Sequence, residues 1–366
     1  MSGRTNVEDV QLMSNIVIAS EDVNAAATAL TLAARGHETV LLGSTLPRGP
    51  HPFNLFGEQM IVELKGIEAL DDGPTIGMVF AEGEDVAEGF SRILALCHPS
   101  LILIVGGGVA GVMAASRAAS AHGFDDSRIC AVSGFLVGGN AAAVSSEKFG
   151  LVGGFIGRRP DPAAAALLRR TLPHLDIGSI VSAALSSTNA LIHVGPMIFN
   201  AMSVERGDRV RFYVEGFGDA VSRLVAELDI ERLAVGRALG AQLHSFESLM
   251  DRYYAPEGMQ GSNLREKINT FHGYDAVALP ETLRHRFLVH EIQSTFAPVV
   301  GLAALHGIPV PASSSVVHLG EILAGMSFAA DGRSVARDFA AFAAARAPDV
   351  AAQQPHSINP TTGDNS

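Results

Sequence analysis

Residues 15–42, with the sequence NIVIASEDVNAAATALTLAARGHETVLL, decide which fold to expect. Residues 15–20 form a short apolar run that predicts a buried strand, and an alanine-rich helix follows over residues 24–35. Gly36 supplies a helix C-cap, and residues 39–42 are a second β-rich run. This order predicts a β-α-β unit with a right-handed crossover between parallel strands.

The same alternation continues through the first half of the chain. Further strand candidates cover residues 77–81, 101–105, 129–133 and 151–156, with helices at 84–96 and 109–121 and a loop at 47–52. From residue 161 the pattern changes to long helical stretches at 163–172, 177–202, 217–239, 241–254, 280–306 and 313–326. We therefore predict an α/β fold, with a Rossmann-like doubly wound parallel sheet over residues 15–160 and an all-α C-terminal domain over residues 161–346. A flexible arm is expected at residues 1–14 and a disordered tail at 347–366.

The composition argues against several classes of protein. A formal net charge of −12 and a pI near 5.5 disfavour binding to nucleic acid or to an anionic membrane surface. The apolar stretch 93–116 has the length of a membrane span, but Pro99 and Gly106 to Gly108 interrupt it, so we expect no membrane segment. Cys97 and Cys130 have neither metal-ligand nor disulfide spacing. These features predict a cytoplasmic protein without a metal site.

One polar pattern stands out in the helical half, within the apolar run from Leu185 to Asn200. Asn189 and His193 are four residues apart, and Asn200 follows two turns beyond His193. On a helix these side chains share one face, so an imidazole can be held beside an amide in an apolar wall. Such a site suits a proton donor or acceptor. The alternative is a core histidine that bonds to a neighbour.

The helical half carries a family resemblance. The segments Asn189-x-x-x-His193 and Asn200, the run from Arg286 to Pro298, and Gly307-Ile-Pro-Val-Pro311 resemble the two signatures of the octopine/nopaline (opine) dehydrogenase family. The resemblance implies an N-terminal nucleotide-binding domain, a C-terminal helical domain and an active site in the cleft between them. Enzymes of this family join the amine of an amino acid to a 2-oxo acid and reduce the imine with NAD(P)H.

The resemblance also implies roles for individual residues. His193 would be the acid/base, with Glu291 bonded to one ring nitrogen to fix the tautomer, and Asn189 would complete the catalytic set. Arg286 would hold a substrate carboxylate through its planar fork of donors. Asn200 and His290 are the remaining candidates for substrate binding. Arg286 and Glu291 can also be read as a solvated pair on a helix face. A small-molecule substrate and a homodimer are expected.

The nucleotide-binding half departs from the pattern that the resemblance requires. After the first strand, a dinucleotide fold needs Gly-x-Gly-x-x-Gly, whereas this chain has Ser20-Glu-Asp-Val-Asn-Ala25. Ala25 is tolerable in the third glycine place, but Asp22 stands where the backbone must approach the pyrophosphate. Carboxylates there should repel a diphosphate. NADP is therefore a doubtful cofactor, and none is expected if this turn is non-functional.

Other residues favour a nucleotide site. Ser44 and Arg48 follow the second strand without the acidic residue that takes an NAD ribose, as in a site for the 2′-phosphate of NADP. Gly106 and Gly107 follow a buried strand, where they can admit a ligand to the backbone or simply form a tight turn.

Three functional hypotheses follow. The leading one is an opine-dehydrogenase-like oxidoreductase that uses NADPH through a modified loop to reduce an imine or carbonyl formed from an amine and a 2-oxo acid. The second is a family member that has lost the redox cofactor and uses the His193 cleft for cyclisation, isomerisation, condensation or elimination. The third is a non-catalytic binding protein.

Overall fold

The computed structural model describes residues 13–43, 46, 48–80 and 85–346. Nearly all of the predicted arm, the whole predicted tail and the predicted cofactor residue Ser44 lie outside this range. The elements of the first half, in chain order, are β1 (Asn15–Ala19), α1 (Val23–Ala34), β2 (Glu38–Leu42), β3 (Gly49–Leu55), β4 (Glu58–Leu64), β5 (Thr75–Val79), α2 (Asp85–Leu96), β6 (Leu101–Val105), α3 (Gly108–His122), β7 (Ile129–Val132), β8 (Val137–Gly139), β9 (Ala143–Glu147), β10 (Val152–Phe155), α4 (Pro162–Thr171) and β11 (Asp176–Ile177).

The second half consists of helices joined by irregular connectors, with one isolated β-bridge between Arg211 and Ala278 among the described residues. Its helices are α5 (Ile180–Leu185), α6 (Thr188–Phe199), α7 (Ala201–Arg206), α8 (Asp219–Ala238), α9 (Phe246–Tyr254), α10 (Leu264–Thr270), α11 (Arg286–Glu291), α12 (Ala297–Leu305), α13 (Pro311–Ala324) and α14 (Ala329–Arg346). A π-helical turn, Ile292–Phe296, joins α11 to α12 in one continuous run. The Rossmann-like sheet followed by an all-α region confirms the predicted fold class.

A seven-stranded sheet organises the first half, in the order β11-β10-β7-β6-β5-β1-β2. The prediction of a parallel sheet is correct for the strands from β7 to β2, whereas β10 runs antiparallel to β7. The predicted β1-α1-β2 unit is present, and β2 forms one edge of the sheet. The turns after β1 and β5 therefore lie at the carboxyl ends of parallel strands, which is where open α/β sheets bind ligands.

A second, four-stranded sheet in the order β4-β3-β9-β8 was not predicted. The loop expected at residues 47–52 is wrong for Gly49 to Pro52, which begin β3. Two prolines gave that stretch the appearance of a loop. β3 tolerates both, because its second neighbour, β9, pairs with it only at Asn54 and Leu55, so one side of the strand is open at Pro50 and Pro52.

The sheet and the helices share their cores rather than forming separate units. Val299, Leu302 and Phe339 of α12 and α14 lie in one apolar cluster with Val17 and Ile102 of the sheet. On the other face, α4 packs its apolar side against the sheet, and β11 extends the sheet edge. Residues 162–177 therefore belong structurally with the sheet, beyond the boundary drawn at residue 160.

The run from Arg286 to Leu305 is, within the described residues, the one helix long and apolar enough to cross a membrane. Of its most apolar window, 72% is buried inside the protein, as in a core helix. The apolar stretch 93–116 is divided among α2, β6 and α3.

Candidate active site

His193 and Glu291 form a buried pair between α6 and α11. The His193 Nδ1 and Glu291 Oε1 atoms are 2.7 Å apart, and both residues are 5% exposed. Aromatic side chains surround the pair, and the Phe287 ring stacks on the imidazole with 3.9 Å between the ring centroids. The structure thus brings together two side chains that are 98 residues apart in the chain. The imidazole is held in one orientation by a hydrogen bond on its edge and a ring on its face.

Tyr213 completes this arrangement and was missed by the sequence reasoning. Its hydroxyl lies 2.8 Å from His193 Nε2, so both ring nitrogens have a partner. When Nδ1–H donates to Glu291, Nε2 accepts the Tyr213 O–H. Burial raises the pKa of Tyr213 well above its usual value, which keeps the hydroxyl protonated as a donor. Tyr213 lies in an irregular connector between α7 and α8, where no periodicity marked it.

The charge state of Glu291 is set by opposing effects. Burial raises its pKa to about 7, while the positive charges of Arg286, His290 and Lys148 act in the opposite direction. A carboxylate with such a pKa changes protonation near neutral pH. Because it bonds directly to His193, its charge controls how well the imidazole can hold an extra proton.

His193 of this pair borders a cleft of about 440 Å³. Asn189, His193, Tyr213, Arg286 and Lys148 supply polar groups to its wall. A cleft of this volume, with a few converging polar groups among apolar ones, suits a small molecule. Lys148 was another residue that the sequence reasoning missed.

Arg286 lies in this cleft, but its guanidinium is already engaged. Its Nη1 atom is 2.5 Å from Asp22 Oδ2, in the turn between β1 and α1. The other oxygen, Asp22 Oδ1, accepts a hydrogen bond from Asn24 N at 2.7 Å and caps α1. The predicted substrate-binding arginine is therefore in direct contact with the predicted phosphate turn.

A second cleft, of about 370 Å³, lies at this turn. Its lining contains four carboxylates and two guanidiniums, which belong to Glu21, Asp22, Asp85, Glu88, Arg92 and Arg286. Phe80 and Phe135 also line it, as do the predicted site residues Ser20 and His290. His290 thus faces this cleft rather than the one beside His193.

The turn lacks the features of an ordinary dinucleotide site. The N-terminal N–H group of α1 that would donate to a diphosphate already donates to Asp22. The excess of carboxylates in the lining would also repel two phosphate charges. The residues of this turn bind each other and Arg286, at the N-terminus of α1.

Several other predicted site residues make contacts within the fold rather than in a cleft. Asn200 was expected to bind substrate, but its amide donates to the carbonyls of Pro196 at 2.8 Å and Gly216 at 2.9 Å. It joins α6 to the following connector and lines neither cleft. These bonds give Asn200 a structural role, because a half-buried amide at a helix end satisfies backbone carbonyls first, and substrate binding by Asn200 stays a prediction.

The remaining cofactor candidates also lie away from the clefts. Arg48 pairs with Glu68 at 2.7 Å in an exposed position. Gly106 has φ of 78°, and a Cβ atom there would be 3.2 Å from the Phe135 ring, so it serves a tight turn. Gly107 is the N-cap of α3. Ala25 is fully buried where α1 packs on the sheet.

Comparison with known proteins supports the same architecture. Residues 176–324 match the family model described as NAD/NADP octopine/nopaline dehydrogenase, alpha-helical domain. Over these residues the chain is similar to the helical domain of the octopine/nopaline dehydrogenase family. The His193–Glu291 pair lies within that matched region of the opine dehydrogenase family.

Individual relatives of the family are distant. The chain is 24% identical over 162 residues to an opine dehydrogenase from Arthrobacter sp. (strain 1C), and the match covers 44% of each chain. The chain thus spans under half the length of that relative. Among solved structures, octopine dehydrogenase in complex with NADH and agmatine aligns with a TM-score of 0.64 at 15% identity, covering 90% of this chain and 96% of that one. Yersinopine dehydrogenase with NADP+ bound aligns with a TM-score of 0.62 at 11% identity, covering 91% and 98%.

Proposed function

We propose that this protein is an opine-dehydrogenase-like enzyme that acts by acid–base catalysis on the adduct of an amine and a 2-oxo acid, without a nicotinamide cofactor. One observation carries the proposal. The Asp22 carboxylate caps the N-terminus of α1 and pairs with Arg286, in the turn where a dinucleotide fold binds its diphosphate. The acid–base pair of the helical domain is nevertheless complete. Condensation, cyclisation, isomerisation and elimination are the reactions compatible with such a site.

The pair can move one proton in either direction during these reactions. Glu291 stabilises an imidazolium, so His193 can accept a proton from an amine and return it to a carbonyl or hydroxyl oxygen. Tyr213 occupies Nε2 and also borders the cleft, so its hydroxyl can pass that proton between His193 and a ligand. Arg286 can bind a substrate carboxylate with the donors that Asp22 does not use. The aromatic wall excludes water from the pair.

A second candidate is the NADPH-dependent reductase. The NADH and NADP+ complexes of the fold neighbours favour it. One feature of this chain does too: a Cβ atom on Gly43, at the end of β2, would lie 2.9 Å from Arg92 Nη2. A guanidinium at the end of β2 suits a 2′-phosphate, and it replaces the predicted pair of Ser44 and Arg48.

Product analysis distinguishes the two candidates. Mixtures of amino acids and 2-oxo acids would be incubated with the protein, with and without NADPH, and analysed by mass spectrometry. We expect products that have lost water relative to the combined substrates, formed equally in both mixtures. Products carrying two additional hydrogens, formed only with NADPH, would contradict the proposal and support the reductase.

We also propose that the protein is a cytoplasmic homodimer. Leu319 and Ile322 on α13 and Met326 just after it are apolar and exposed, at 42%, 62% and 44%. Phe199 and Met202 add exposed apolar surface on and after α6, which packs against α13. Exposed apolar patches of this kind often mark interfaces.

Light scattering tests the dimer. We expect the dimer mass for the wild type and the monomer mass for Ile322→Glu, because the new charge would be buried without a partner. Ile61→Glu is the matched control, since Ile61 is 73% exposed on β4. A wild type that stays monomeric over a wide concentration range would contradict a dimer.

A further inference from the structure

The chain contains three lysines, and their surroundings differ. Lys65 lies 3.3 Å from Glu63, and Lys267 lies 2.9 Å from Glu247 and 2.7 Å from Asp251. Lys148 has no carboxylate within 4 Å among the described residues. Lys65 and Lys267 are thus ordinary ion-paired groups, whereas ion pairing does not account for the position of Lys148.

Lys148 is positioned in the cleft of the His193 pair. It follows β9, where its backbone N–H donates to the Leu136 carbonyl at 3.0 Å. It lines the same 440 Å³ cleft as His193, Tyr213 and Arg286. A Cβ atom on Gly134 would lie 3.8 Å from its Nζ atom, so the glycine leaves space beside the amine.

Its environment raises the fraction of neutral amine. Burial lowers the pKa of Lys148 to about 8, and the charge of Glu291 opposes this only in part. A pKa of about 8 instead of 10.5 leaves on the order of 100-fold more neutral amine near neutral pH. A desolvated lysine of this kind is the usual nucleophile toward carbonyl carbon.

We propose that Lys148 forms an imine with a 2-oxo acid bound in the cleft, and so acts as a covalent nucleophile in this protein. The substrate class rests on the proposed function. A 2-oxo acid presents a carbonyl carbon next to a carboxylate, and the cleft presents an amine with Arg286 in the same wall. Aldehydes and ketones without a carboxylate lack the second contact.

The step balances without a redox partner. The Nζ lone pair of Lys148 attacks the carbonyl carbon, the C–N bond forms, and a proton passes from nitrogen to the former carbonyl oxygen. The carbinolamine then loses its hydroxyl group as water when His193, through Tyr213, protonates that oxygen and nitrogen releases its remaining proton. The product is a C=N bond to Lys148 and one water molecule. Attack on this imine by a substrate amine would release Lys148 and transfer the oxo acid.

Reductive trapping tests the inference directly. The wild-type protein would be incubated with pyruvate and sodium cyanoborohydride, digested, and mapped by mass spectrometry. We expect the reduced pyruvate adduct on Lys148, with little on Lys65 or Lys267, and labelling that rises with pH through about 8 as the amine loses its proton. Lys148→Arg should abolish the adduct, whereas Lys65→Arg should retain it.

Equal labelling of the three lysines, or no adduct on Lys148 in folded wild-type protein, would overturn the inference. Trapping does not require turnover, so its result is independent of the product analysis above. An adduct on Lys148 would stand even if no condensation product were found. Failure to trap would leave the acid–base proposal for His193 to be judged by its own experiment.

Discussion

His193→Ala is expected to lower turnover by about 10²–10⁴-fold, because that is the usual contribution of a positioned general acid or base. The fold should persist, since the substitution removes one side chain from the edge of a cleft and leaves α6 intact. Measuring both the turnover rate and the thermal unfolding of the variant separates a loss of catalysis from a loss of folded protein. Asn200→Ala is a matched control on the same stretch of chain, because Asn200 bonds to backbone and borders neither cleft. A near-normal rate for His193→Ala would remove His193 from the mechanism.

Glu291→Gln should have a smaller effect and a characteristic pH signature. Ionised Glu291 stabilises the imidazolium, so the wild-type rate should rise with pH as this carboxyl loses its proton near its pKa of about 7. Glutamine cannot ionise, so the variant should lose that limb of the profile. Retention of the limb in Glu291→Gln would assign it to another group.

The second large effect concerns the turn after β1. Changing Ser20, Glu21 and Asp22 together to Gly, Ala and Gly should create measurable affinity for NADPH where the wild type has little. The change removes two carboxylates, frees the first N–H groups of α1 and releases Arg286 from Asp22. Loss of the Asp22 cap should also destabilise the protein by about 1 kcal/mol.

Calorimetric titration of the triple variant measures this gain. Glu68→Ala is a suitable control, because it removes one exposed carboxylate that pairs with Arg48 away from the cleft. Equal affinity in control and triple variant would show that overall charge, rather than the turn, governs binding. A triple variant that still fails to bind would mean that the cofactor cavity is lost at other positions as well.

Much of the fold could be predicted because local signals agreed with the tertiary structure. The β1-α1-β2 unit combines apolar runs of strand length, an alanine-rich helix and a glycine cap, and each points to the same arrangement. The second sheet could not be predicted in the same way. Pro50 and Pro52 read as loop residues, and only the pairing partners of β3 explain why they are tolerated in a strand.

The site was predicted less evenly. The spacing of Asn189 and His193 identified one helix face, and the family resemblance supplied Glu291. Tyr213 lies in an irregular connector and Lys148 directly after β9, and neither carries a motif, so only the folded chain places them in the same cleft as His193. The contact between Arg286 and Asp22 joins residues 264 positions apart, and it changes the meaning of both predictions.

We expect that the β1–α1 turn does not bind a nicotinamide dinucleotide, although the His193–Glu291 pair is present. Direct titration of the purified wild-type protein with NADPH and NADH tests this claim. We expect no saturable binding of either dinucleotide at micromolar concentration. Micromolar binding of NADPH would show that the side chains of Asp22 and Glu21 move out of the turn. That result would contradict the proposal and support the NADPH-dependent reductase.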